Sequence, residues 1–163
     1  MLAIRVAAIS DRPSFLTDVQ QFFAGDPGVD FVGSCTRQEL RWLLEVRRPD
    51  ILLVDGRIKR PLDLCSRVGW ECSPGIVLLA DEAKDLAEFR DLWKMVALEA
   101  GARGVLGRGS MARDLVDAVR AVHDGQLWGP RAVVAGVVER LGRSFPETED
   151  GEAEGPARRY ANN

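Results

Sequence analysis

Short apolar runs alternate with amphipathic segments along this chain. "LAIRVAAIS" (residues 2–10) is too short for a typical helix and is bounded by "DRP", so it predicts a first strand. In "SFLTDVQQFFAG", Phe15, Leu16, Val19, Phe22 and Phe23 recur at helical spacing and Gly25 marks a stop. "DFVGSC" predicts a second strand. "TRQELRWLLEVRRPD" predicts a helix with Thr36 as N-cap, Glu39 completing a capping box and Pro49 ending it. "ILLVD" is the third strand, and "PLDLCSRVGW" a third helix that Gly69 interrupts. "GIVLLA" is the fourth strand.

"DEAKDLAEFRDLWKMVALEAGA" predicts a long fourth helix with an apolar stripe of Leu86, Phe89, Leu92, Trp93, Val96 and Leu98, ended by Gly101. "RGVLGR" follows as the fifth strand. "SMARDLVDAVRAVHDG" is a fifth helix, capped by Ser110 and stopped by Gly125. Five strands alternating with five helices imply an α/β fold with parallel strands and helices on both faces. Strands as apolar as "ILLV" and "IVLL" fit a sheet buried on both sides.

Beyond Trp128 the pattern changes. "PRAVVAGVVERLG" places Val133, Val134, Val137, Val138 and Leu141 on one stripe, an extra helix opened by Pro130. "RSFPETEDGEAEGPARRYANN" has few large apolar residues and is expected to be a disordered tail. The expected division is therefore a domain over 1–128, an added helix over 129–142 and a polar tail over 143–163.

Composition narrows the picture without redirecting it. Hydrophobic residues make up 46% and charged residues 29% of the 163 positions, ordinary for a soluble domain with a proper core. A net charge of −3 gives no electrostatic reason to expect nucleic acid or an anionic membrane. No apolar run is long enough to span a membrane and no signal peptide opens the chain, so a cytoplasmic protein is expected. Cys35, Cys65 and Cys72 read as reduced, mostly buried thiols, and His123 as a surface or capping residue at a helix end. No zinc constellation, GxSxG, P-loop or GxGxxG is present.

The third strand raises the chemical question, because four apolar residues run straight into Asp55. In an open doubly wound sheet, ligands sit at the carboxyl ends of strands, where the strand order reverses. For a flavodoxin-like order 2-1-3-4-5 that point lies between strands 1 and 3. It gathers Ser10 and Asp11 with Asp55. Two close carboxylates favour a hard cation such as Mg²⁺, and a carboxylate beside Mg²⁺ can accept a phosphoryl group. The plainer alternative is that either acid is only a cap or loop residue.

"IRVAAISDRPSFL", "RRPDILLVDGRI", "AGARGVLGRGS" and "LVDAVRAVHDGQLWGP" carry a resemblance. With these motifs the chain resembles, over roughly residues 3 to 142, the receiver domain of NarL/FixJ (LuxR-like) two-component response regulators. The resemblance implies a CheY-like fold, phosphorylation at Asp55 and a weakly held Mg²⁺ on Asp11, Asp55 and the backbone carbonyl of Arg57. It also implies a sensor histidine kinase or another signalling protein as partner. The same resemblance exposes departures. Ser10 stands where the first of two acids is usual, Leu79 where a Thr or Ser hydroxyl is usual, Val105 where an aromatic is usual, and Arg108 where a Lys is usual. Arg108 keeps the charge but not the geometry of an ammonium.

A missing charge-assisted hydrogen bond costs about 1.5–3 kcal/mol, as much as a typical allosteric coupling of about 1–3 kcal/mol. An atypical or pseudo-receiver is therefore expected, with phosphorylation-independent action through protein contacts as the alternative. No helix-turn-helix follows, so no DNA binding is expected of this chain alone; the regulators of this group normally carry one. A homodimer through the fourth, fifth or extra helix is a further expectation. A small flavodoxin-like ligand-binding domain or enzyme is the reading from another class, weakened by the lack of a nucleophile–base pair.

Overall fold

The apolar run before Asp55 forms the middle strand of a sheet. In the computed structural model, which describes residues 2–71, 74–81 and 90–144, β3 (Ile51–Asp55) is buried along its whole length. On one side it pairs with β1 (Ile4–Ile9), which pairs in turn with the edge strand β2 (Val29–Cys35). On the other side lie β4 (Gly75–Ala80) and the edge strand β5 (Gly104–Gly107). All pairings are parallel and the order is 2-1-3-4-5, as expected.

Side chains alternate across the sheet and build two separate cores. On one face, Val6, Leu53, Val77 and Leu79 pack with Phe15 and Val19 of α1 (Pro13–Phe23) and Leu115 and Val119 of α5 (Met111–His123). On the other, Leu52, Val54, Leu78 and Val105 pack with α2 (Leu40–Arg47), α3 (Pro61–Glu71), α4 (Arg90–Glu99) and α6 (Arg131–Ser144). The added helix is thus built into the second core. Val133 and Val137 are each 1% exposed, and Gly136 sits against the Met95 side chain of α4. The valine stripe folds back onto its own chain, while Val138 and Leu141 stay exposed.

Several boundaries move. α2 begins at Leu40, not beside Thr36: residues 37–39 form a turn, in which both the amide and the hydroxyl of Thr36 donate to the Glu39 carboxylate. Half of the capping box therefore forms, one turn ahead of the helix. Ser110 makes no side-chain cap; it closes a 3-10 turn, Arg108–Ser110, that leads into α5. Gly69 does not interrupt α3. A side-chain carbon there would lie 3.0 Å from the carbonyl oxygen of Gly101, itself at φ +114, so the two glycines let α3 approach the turn after α4. The first half of the expected fourth helix, with Leu86 and Phe89, and the tail from 145 onward lie outside the described residues.

Candidate acid pocket at the carboxyl ends of β1 and β3

Register brings the pocket together. Ile9 pairs with Val54, so the residues that follow, Ser10 and Asp55, are level at the carboxyl ends of neighbouring strands. Both are buried, Asp55 at 0% exposure and Ser10 at 1%. The Ser10 hydroxyl donates to Oδ2 of Asp55 at 2.6 Å. The amide of Arg57 donates to Oδ1 at 3.0 Å. Gly56 between them allows a tight passage: a side-chain carbon there would meet the Leu79 carbonyl oxygen at 2.6 Å.

The decisive side chain is Arg12. It precedes Pro13, which disfavours helical backbone at the residue before it, and Arg12 is extended at φ −117, ψ 112. From there its guanidinium returns over the strand end. Nη2 donates to both oxygens of Asp55, at 2.9 and 2.7 Å, and Nε donates to Oδ2 at 3.1 Å. The Arg12 amide donates to the Ser10 hydroxyl oxygen at 3.0 Å, closing a ring of Ser10, Arg12 and Asp55. The guanidinium also lies 5.7 Å from the centre of the Phe15 ring.

A second ion pair flanks the first. Arg57 turns its guanidinium to Asp81, with Nη2 donating to Oδ1 at 2.8 Å and Nε to Oδ2. Bonding to Asp81 raises the Arg57 guanidinium above its ordinary value. Arg108 lies over the other approach to Phe15, 5.4 Å from the ring centre, and its Nη1 is buried with no hydrogen-bond partner among the described residues. Burial first, and the repulsion of Arg12 and Arg57 second, push Arg108 below its ordinary value.

Other expected residues fall elsewhere. Asp11 is exposed and faces a shallow groove of about 590 Å³ shared with Thr36, Arg37, Gln38, Ile58 and Lys59. It makes no hydrogen bond to Asp55. Leu79 and Val105 do not form a pair, because they lie in the two different cores on opposite faces of the sheet. The strand-4 side chain that shares a core with Val105 is Ala80. His123 is exposed in the last turn of α5, beside Asp124, as expected of a surface residue. The sequence reading missed Arg12 and Asp81. The signal for Arg12 was the buried carboxylate itself, which needs a compensating charge close by in the fold.

Comparison with known proteins places this geometry in a family of shapes. No family model matches the chain, and no curated protein sequence does. Solved structures do match. The isolated receiver domain of RcsB from Salmonella enterica serovar Typhimurium, in its apo form, superposes with a TM-score of 0.67 at 16% identity, over 83% of this chain and 98% of that one. The signal receiver domain of the response regulator NarL from Mycobacterium tuberculosis gives 0.64 at 24% identity, over 77% and 100%. The response regulator ChrA of a heme-sensing two-component system gives 0.64 at 20% identity, over 90% and 68%. The chain has the receiver-domain fold. At these identities the likeness is one of fold, and function has to come from the site.

A receiver fold brings the Mg²⁺ expectation with it, and the residues present do not fit that ion. Mg²⁺ needs free oxygen ligands in near-octahedral array. Both oxygens of Asp55 are already occupied by donors from Ser10, Arg12 and Arg57. Asp11 faces another groove, and among the described residues no group of three or more His, Cys, Asp or Glu side chains is placed to hold a metal. Nor is any described helix long and apolar enough to cross a membrane.

Proposed function

We propose that the chain is a receiver-type signalling module that acts through protein contacts, with Asp55 sealed rather than phosphorylated. The observation that carries this reading is the Arg12 guanidinium bonded to both oxygens of a fully buried Asp55. Phosphoryl transfer needs a carboxylate oxygen in line with the phosphorus, and a cation to neutralise the charge that gathers there. Here the lone pairs point at N–H and O–H donors. For Asp55 to attack, Arg12 must first withdraw and leave the carboxylate buried without its counter-ion, which is costly. The surface this reading assigns to a partner, whether another signalling protein or a second copy, is the exposed apolar set Leu92, Val96, Val138 and Leu141 on α4 and α6.

A second reading keeps Asp55 as a phospho-acceptor for a sensor histidine kinase. One observation favours it: near the pocket Arg108 holds a buried nitrogen with no partner among the described residues, a donor that an added phosphoryl oxygen would satisfy. Acetyl phosphate or beryllofluoride with Mg²⁺ separates the two. A sealed module shows no mass gain and no amide shifts around Asp55. Stoichiometric modification of Asp55 that is lost in Asp55→Asn would establish the second reading instead.

A further inference from the structure

We propose that the Arg12 guanidinium is the resident cation of the Asp55 pocket, occupying the role that a divalent metal ion would otherwise fill. The proposal rests on the receiver reading above, since the fold is the reason a cation is expected at this strand end.

The chemistry runs from burial to charge. An ionised carboxylate at 0% exposure has lost its water and must be compensated by a neighbouring charge or by a metal. Arg12 supplies that compensation with three hydrogen bonds, a planar fork against a planar carboxylate. The fork is held from behind. Pro13 favours the extended backbone of Arg12, the Ser10 hydroxyl oxygen accepts from its amide, and the Phe15 ring lies under its guanidinium.

Ser10 is a positioning residue in this arrangement. One hydroxyl both donates to Asp55 and accepts from the Arg12 amide, so it ties the acid to the backbone that carries its counter-ion. A bound ion exchanges with the solution and makes a site depend on metal concentration. A tethered guanidinium does not. The pocket is therefore neutralised without any metal, and a metal reaches Asp55 only in competition with Arg12.

The test is a Mn²⁺ titration of the full chain, read by paramagnetic broadening of the amide signals of residues 54–58. Wild type, Arg12→Ala and the double variant Arg12→Ala/Asp55→Asn are compared. Broadening centred on Asp55 is expected in Arg12→Ala at a Mn²⁺ concentration about tenfold or more below that needed in the wild type, and is expected to vanish in the double variant. If Arg12→Ala does not fold in metal-free buffer, the same titration is read by circular dichroism, and recovery of the fold with Mn²⁺ is the expected result. Equal responses in wild type and Arg12→Ala would overturn the proposal, as would a response that survives Asp55→Asn or an unfolded variant that Mn²⁺ does not recover. These outcomes concern the cation alone. A wild type that binds Mn²⁺ at Asp55 yet resists acetyl phosphate defeats the resident cation and leaves the sealed module standing.

Discussion

The chain closes on itself in two places, and the two closures follow different physics. At the carboxyl end of β3 the closure is polar: one buried carboxylate, one guanidinium and one hydroxyl satisfy each other at fixed distances. Across α4 and α6 the closure is apolar: Val133 and Val137 are buried, and Gly136 lets Met95 approach. Apolar burial is non-directional and scales with area, so each group removed subtracts its own share. An ion pair is a unit. Removing one half leaves the other buried and uncompensated, so the loss exceeds what the pair itself contributes.

That contrast orders the expected effects. Arg12→Ala should cost most, toward the lower end of about 3–5 kcal/mol because the Arg12 side chain is 30% exposed, and urea unfolding reads it directly. Adding Asp55→Asn should return most of the loss. At the apolar closure, Val133→Ala and Val137→Ala should each cost roughly 2 kcal/mol, from two lost methyl groups plus the cavity left behind. No second substitution on α4 should return that loss. Wild-type stability in both valine variants would mean that α6 is not docked on α4.

A smaller effect concerns reactivity and high pH. Burial pushes the thiols of Cys35 and Cys65 up from an ordinary value of 9.0 to about 12, with Glu39 adding to the shift at Cys35. The native state therefore keeps these protons while the unfolded chain loses them. Their contribution to stability is fully present below pH 9.0 and falls away as pH rises toward about 12. Iodoacetamide at mildly alkaline pH should label both only as fast as the protein opens, a rate that rises with urea; prompt labelling of the native chain would contradict the burial. The smallest effect belongs to the pair between Arg140 of α6 and Glu99 of α4, at 2.9 Å and half exposed. Arg140→Ala should cost only about 0.2–1 kcal/mol in the same urea assay.

The architecture was legible in the sequence because a buried parallel sheet writes itself as apolar runs. "ILLVD" and "GIVLLA" fit strands covered on both sides, and their alternation with helices implied parallel pairing; the order 2-1-3-4-5 came with the receiver resemblance, and the sheet has it. The strand ends were legible too, since Asp55 is where an apolar strand delivers a carboxylate. What could not be read is where the flanking side chains turn. Asp11 and Arg12 are adjacent, yet the acid faces solvent and the arginine folds inward, a choice set by the backbone before Pro13 and by the Ser10 hydroxyl. Nor could spacing alone show that Leu79 and Val105 face opposite cores, because that depends on the register between β4 and β5. The capping box at Thr36 was chemically sound but sits in a turn ahead of α2, so a local motif placed the helix start three residues too early.

The most direct measurement is a double-mutant cycle on the pocket: urea unfolding of wild type, Arg12→Ala, Asp55→Asn and the double variant. An internal counter-ion for a buried acid predicts a coupling of about 2–3 kcal/mol, with the double variant close in stability to Asp55→Asn alone. Additivity within about 0.3–0.5 kcal/mol would contradict it, and would mean that Arg12 and Asp55 do not hold one another in the folded protein.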